Sequence, residues 1–270
     1  MKEVLIIPQR EQIEESLKIA KEYNAFFEYN DFFLPAVLDD KEEKNERIRF
    51  YKNLDRDRSR DTMHGAFLDI ILHSVDPKIR EASQLRVRQS MEIAKELEIR
   101  GVVFHTNMIA NFKEPAYMKN WVSTNAAFYK KMLEDYPDIY ILVENIFDLD
   151  PDMLLELAEE MAGYPFFGVC LDYAHASVSA VAAPEWFRVL KPYIKHMHIN
   201  DNDLKNDLHL ALGSGRIDYR QFADLLWESK ITPSVLVEVN KPEDQRTSLS
   251  FMKKEGIYPF SSPVKNGRLL

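Results

Sequence analysis

Along this chain, short apolar runs alternate with longer stretches in which apolar residues return every three or four positions. The runs are EVLII (3–7), AFFEY (25–29), TMHG (62–65), GVVFH (101–105), IYILVE (139–144), FFGVCLD (166–172), IKHMHI (194–199) and SVLVEV (234–239). Several are continuous and rich in Val, Ile, Leu or Phe, the composition of strands covered on both faces. The stretches between them have the period of amphipathic helices. PKIREASQLRVRQSMEIAKELEI (77–99) repeats apolar residues at three and four, and Gly101 follows its end. DPDMLLELAEEMAG (150–163) offers Asp150 as an N-cap, Pro151 at the first helical position and Gly163 beyond the end. DYRQFADLLWESK starts in the same way at Asp218. The most polar stretch, residues 39–60, reads as a solvated helix and loop. Alternation of strand and helix predicts a parallel sheet. Eight such units in 270 residues predict an α/β fold closed into a (β/α)8 TIM barrel, one domain over residues 1–270.

Composition narrows the setting. A chain of this length buries a substantial core without disulfides, and its single cysteine, Cys170, excludes an intrachain disulfide and fits a reducing compartment. The opening MKEVLIIPQR has an apolar run too short for the core of a signal peptide, and no run is long enough to span a bilayer. The expectation is a cytoplasmic protein with no membrane partner. With 44 acidic against 35 basic side chains, the net charge is −9. A large nucleic-acid surface neutralises several phosphates with Lys or Arg, so no nucleic-acid partner is expected.

The chemistry collects at strand ends. In a barrel of this kind, sites sit where strands leave the core at their carboxyl ends. The last residue or so of six consecutive predicted strands is His64, His105, Glu144, Asp172, His198 and Glu238. Any one of these also reads as a hydrogen-bonded strand end or helix cap; six in register point to a shared site. His175 lies three residues past Asp172. Asp207 and His209 form a D-x-H pair in the loop after the seventh strand, where residues two apart in extended chain face the same way. The glycines of LGSG (212–215) permit a tight turn. His196 reads as a satisfied interior histidine, Cys170 as interior packing and His73 as an ordinary loop residue. Asp201 and Asp203 read as caps, or as acceptors that orient metal ligands. A set of imidazoles and carboxylates suits Zn, Mn, Fe or Co and suits Ca poorly.

HGAFLDI, VVFHT, LVENI, CLDYAHA, HMHINDND, DLHLALGSG and LVEV, in this order, resemble the xylose isomerase-like TIM barrels, the superfamily of sugar isomerases, sugar epimerases and endonuclease IV. The resemblance runs from His64 to Glu238. It implies a central divalent ion held by Glu144, Asp172, His198 and Glu238, with Glu144 and Glu238 also acting as acid and base in the epimerase-like members. In the endonuclease IV pattern, positions matching His64, His105 and Glu144 hold a second ion, and those matching His175, Asp207 and His209 a third. One central ion is expected here, with residues for up to three. Where some ketose epimerases carry an arginine six residues past the His198 match, this chain has Leu204.

The expected function is metal-dependent isomerisation or epimerisation of a small sugar or sugar phosphate. The proton would move through an enediolate at the barrel mouth, with Glu144 and Glu238 on strands that lie across the barrel from each other and His175 binding a substrate hydroxyl. Two alternatives stand beside it: a multi-metal phosphoester hydrolase of the endonuclease IV type, and a sugar-binding barrel without catalysis. The substrate's identity and the oligomeric state are not written in the sequence.

Overall fold

Every predicted apolar run contains a strand. The computed structural model describes residues 3–260. Its strands are β1 (Glu3–Ile6), β2 (Phe26–Tyr29), β3 (Thr62–His64), β4 (Gly101–His105), β5 (Tyr140–Glu144), β6 (Phe167–Asp172), β7 (Ile194–Ile199) and β8 (Ser234–Val237). They neighbour one another in chain order and β8 lies beside β1, closing the parallel barrel that the alternation predicts. Between them come α1 (Ile13–Tyr23), α2 (Pro35–Asp39), α3 (Lys41–Lys52), α4 (Pro77–Leu97), α5 (Pro115–Asp135), α6 (Asp152–Glu160), α7 (Tyr173–Ser177), α8 (Ala183–Leu190) and α9 (Tyr219–Ser229), and α10 (Pro242–Glu255) follows β8. No helix among the described residues is long and apolar enough to cross a membrane.

The caps explain where helices begin. Asp76 precedes Pro77 and accepts from the Lys78 amide at 2.8 Å, and Asp218 accepts from the amides of Arg220 and Gln221, both at 3.0 Å. α6 starts one residue later than the sequence suggests: Pro151 is the N-cap and Asp152 the first helical residue. The chain divides into two compact units, Phe27–Val169 and the described parts of Met1–Phe26 with Cys170–Leu270.

In the first unit the register sets His105 directly opposite Glu144 and His64 opposite Val103. Residues 39–60 form the helix and loop their composition predicts, mostly exposed or half-buried. Asp40 caps α3, and Ile48 and Tyr51 are buried. Beyond the helix Arg56 turns inward onto Asp61, a carboxylate with no exposure that also accepts from the Phe27 amide (2.9 Å) and the Tyr29 hydroxyl (2.6 Å). Burial raises the pKa of Asp61, and the bonds from Arg56 and Tyr29 oppose that rise. The Arg56 guanidinium also lies 3.9 Å from the centre of the Phe27 ring.

In the second unit, β8 pairs with β1 from Glu3–Ser234 to Ile6–Val237 and with β7 from His196–Ser234 to Ile199–Val237. Gln245 of α10 is fully buried and donates to the carbonyls of Ile7 (2.7 Å) and Val239 (3.0 Å), satisfying backbone at the ends of both strands. Arg246 ties α10 to α1 through Glu15 at 2.7 Å and through Glu22.

Candidate metal centres

The first cluster lies in the unit of residues 27–169. His64, His105 and Glu144 are the last residues of β3, β4 and β5, so each side chain emerges as its strand leaves the core. The two Nε2 atoms lie 3.0 Å apart, and Glu144 Oε2 is 3.5 Å from one and 3.4 Å from the other. Bonds of about 2.0–2.1 Å at tetrahedral angles place ligand atoms about 3.3 Å apart. The three edges of this triangle bracket that spacing. Phe67 covers the imidazoles, its ring centre 4.8 Å from both, and Phe33 packs on Phe67 at 4.9 Å. A hydrophobic cover of this kind limits water and strengthens electrostatics at the trio.

The second cluster lies in the other unit. Asp172 ends β6, His198 is the penultimate residue of β7, and Glu238 follows β8 by one residue. One ligand atom from each lies within 4.8 Å of the others. His198 Nδ1 is 3.6 Å from Glu238 Oε1. Asp172 also caps α7: its Oδ1 accepts from the His175 amide at 2.6 Å, so the first turn of that helix is fixed to the strand end.

The third cluster uses α7 and the loop after β7. Asp207 Oδ2 is 3.3 Å from His175 Nε2 and 3.1 Å from His209 Nε2. His209 Nδ1 donates to the Glu238 carbonyl at 3.0 Å, which turns Nε2 toward Asp207. Burial works against charge on His209, but the hydrogen bond to Asp207 and the charge of Glu238 outweigh it and hold the imidazolium pKa at about 10. Burial likewise opposes charge on Asp207, and bonds from His175 and His209 overcome it, lowering the carboxyl pKa. Both shifts favour an Asp207 carboxylate paired with a His209 imidazolium.

The donor atoms suit a small divalent cation. Asp207 Oδ1 and Glu238 Oε2 are buried and receive no hydrogen bond from any described residue. The Asn200 side chain, one residue past β7 and fully buried, makes no hydrogen bond with either amide atom among the described residues. Buried polar atoms are nearly always paired, which makes these atoms candidates for contact with a ligand or a bound water.

Other sequence expectations are refined. His196 is interior and bonds Ser234 Oγ at 2.7 Å. Cys170 is buried, yet it forms a further potential ligand group with His196 and His198, a thiol the sequence reading sets aside as packing. His73 lies in the loop after β3, as expected, and is buried there: it meets the Tyr117 hydroxyl at 3.2 Å, and burial lowers its pKa to about 4. Asp203 caps a local turn, accepting from the amides of Lys205 (2.9 Å) and Asn206 (2.8 Å). Asp201 accepts from backbone amides of its own loop. Sequence reasoning misses Asn200, because an asparagine beside a strand end carries no signal until its burial is known.

A closed parallel barrel with imidazoles and carboxylates at the carboxyl ends of its strands defines an α/β barrel of the kind that carries its chemistry at one mouth. The chain belongs to the xylose isomerase-like TIM barrel family, whose pattern its residues 11–255 match. An uncharacterized protein of Methanocaldococcus jannaschii is 25% identical over 207 residues, 71% of this chain and 68% of that one. A Thermus thermophilus protein soaked with ZnCl2 superimposes with a TM-score of 0.74 at 24% identity, covering 93% of this chain and 97% of its own. A D-tagatose 3-epimerase-like protein gives 0.73 at 21%, covering 94% and 96%. Sugar epimerases are among the other solved chains of this fold. At these identities the likeness is one of fold.

Proposed function

We propose that this protein is a divalent-metal-dependent isomerase or epimerase of a small sugar or sugar phosphate. Glu144, Asp172, His198 and Glu238 would hold the central ion, which can be Zn, Mn, Fe or Co. Such an ion supplies an electrophile that polarises a carbonyl and stabilises the enediolate formed beside it. Asp172 and His198 hold and orient. Glu238 and Glu144 move the proton, one taking it from the carbon and the other returning it. His175 binds a substrate hydroxyl or, with Asp207 and His209, holds a further ion, and Asn200 offers both a donor and an acceptor to a polyol. The observation that carries this reading is Glu238: Oε1 faces His198 at 3.6 Å, while Oε2 is buried, 3.7 Å from His209 Nδ1, and receives no hydrogen bond from any described residue, which supports a role as proton acceptor. The sugar epimerases that share the fold support the substrate class.

The test is exchange. Metal-loaded protein incubated in deuterium oxide with a panel of ketoses, aldoses and their phosphates should introduce deuterium beside the carbonyl of its substrate. No label and no interconversion across the panel would refute the reading. The ligand groups outside the central set favour a second reading, phosphoester hydrolysis with two or three ions, because a one-ion isomerase has no need of His64, His105, Asp207 and His209. Cleavage of abasic duplex DNA by the metal-loaded protein, lost in His209→Ala, would select it.

A further inference from the structure

The loop after β7 has to bring Asp207 and His209 to His175, and a single side chain holds most of it. Asp201 is 1% exposed, and its carboxylate accepts four backbone amides. Oδ1 takes those of Asn202 (3.0 Å) and Ile217 (3.1 Å); Oδ2 takes those of Gly213 and Gly215, both at 2.9 Å. Its main chain exchanges two further bonds with Leu210, at 2.8 and 2.9 Å, immediately beside His209. The glycines of LGSG answer to this arrangement. A Cβ on Gly215 would lie 2.4 Å from both Asp201 Oδ1 and the Asn202 carbonyl oxygen, and Gly213 has φ +83°.

Asn202 adds a clamp. Its Nδ2 donates to the Ala174 carbonyl at 3.1 Å, one residue before His175, and its Oδ1 accepts from the Leu204 amide at 2.8 Å. His209 itself is in the left-handed region, φ 47°, which a residue with a Cβ adopts uncommonly. The contacts on either side of it are those of Leu210 with Asp201 and of His209 Nδ1 with Glu238. Neither Asp201 oxygen bonds a ligand side chain; the residue works through the backbone.

We propose that Asp201, assisted by Asn202, is the positioning residue that preorganises His175, Asp207 and His209 for a divalent cation. The inference rests on the reading that this trio holds an ion. Asp201→Asn keeps the shape but replaces one acceptor oxygen with a donor group facing two amides that themselves donate. Zinc titration by calorimetry and the visible spectrum of the cobalt(II) form report the sites without any substrate. His209→Ala identifies which binding step belongs to the trio. In Asp201→Asn that step should weaken by about 10- to 100-fold, the usual effect of losing an outer-shell support. The step assigned to His64, His105 and Glu144 should be unmoved. Asn202→Ala, which removes only the clamp on α7 and the turn at Leu204, should give a smaller loss at the same step and keeps the test open if Asp201→Asn does not fold. Parent affinity at the trio in both variants would overturn the proposal. So would an equal loss at every site together with a lowered melting temperature, the mark of a general structural role. A parent whose zinc stoichiometry is indifferent to His209→Ala would overturn the ion reading itself, and this inference with it.

Discussion

Glu144 and Glu238 carry the proposed chemistry, and their amides are the direct test. Glu144→Gln or Glu238→Gln preserves shape and removes a proton carrier. Turnover should fall by about 10²–10⁴-fold, the usual contribution of general acid–base catalysis. The far-ultraviolet circular dichroism should stay at the parent's and substrate binding should persist; near-parent turnover in either variant contradicts the assigned role. Asn200 separates stability from function. Its fully buried amide makes no hydrogen bond to described residues. Asn200→Leu removes that desolvated group and should stabilise the ligand-free protein by about 1 kcal/mol in urea unfolding. It should also weaken binding of the correct sugar. A variant that is less stable, or that binds the sugar as the parent does, counts against a ligand role for this side chain.

Elements differ in how openly the sequence shows them. β4 to β7 are apolar runs ending in one chemical residue, and period and punctuation alone locate them. β3 is three residues long, TMH, and its polar terminus carries most of its signal. The inward turn of Arg56 was hidden because charge density marks solvation and says nothing of a buried partner thirty residues from the strand it supports; only the fold sets Asp61 against Phe27 and Tyr29. His73 was hidden for the same reason. The loop after β3 brings it under Tyr117, and its folded pKa is about 4. The unfolded value is about 6.5, so between these the unfolded chain binds more protons at this residue. His73 thus contributes stability that is present above about pH 6.5 and lost as pH falls toward 4. The loss is about 3 kcal/mol at most, the linkage value of a shift of this size. Urea unfolding of His73→Gln, which has no group titrating there, should show a shallower decline over that interval than the parent; parallel profiles would exclude the assignment.

For the molecule as a whole, the barrel was legible because eight strand–helix alternations admit few topologies, and the strand-end register was legible because the period of a strand fixes where it ends. The grouping of site residues was less so. Spacing placed Asp207 and His209 in one loop; the bonds that face them toward His175 come from backbone amides, which a sequence does not display. If these clusters hold cations, the folded state alone offers them, and loading should stabilise it. Zinc at about 100 times its dissociation constant is worth about 2.7 kcal/mol per site. In a chain of this size that raises the melting temperature by about 5–10 °C, and a chelator should reverse it. An unchanged transition on adding zinc, manganese or cobalt would argue against resident ions.

Glu238 belongs to two clusters at once. Its carboxylate meets His198, while its carbonyl orients His209. The end of β8 is therefore a shared foundation, and a cation that settles against the carboxylate also fixes the peptide that aims the neighbouring imidazole. Linkage makes such a bond reciprocal: whatever factor the first ion lends to the affinity of the second, the second returns to the first. Loading should then proceed in steps whose constants are not independent: a favourable coupling would steepen the response to scarce metal into a threshold, and repulsion between the ions would spread it over a wider range.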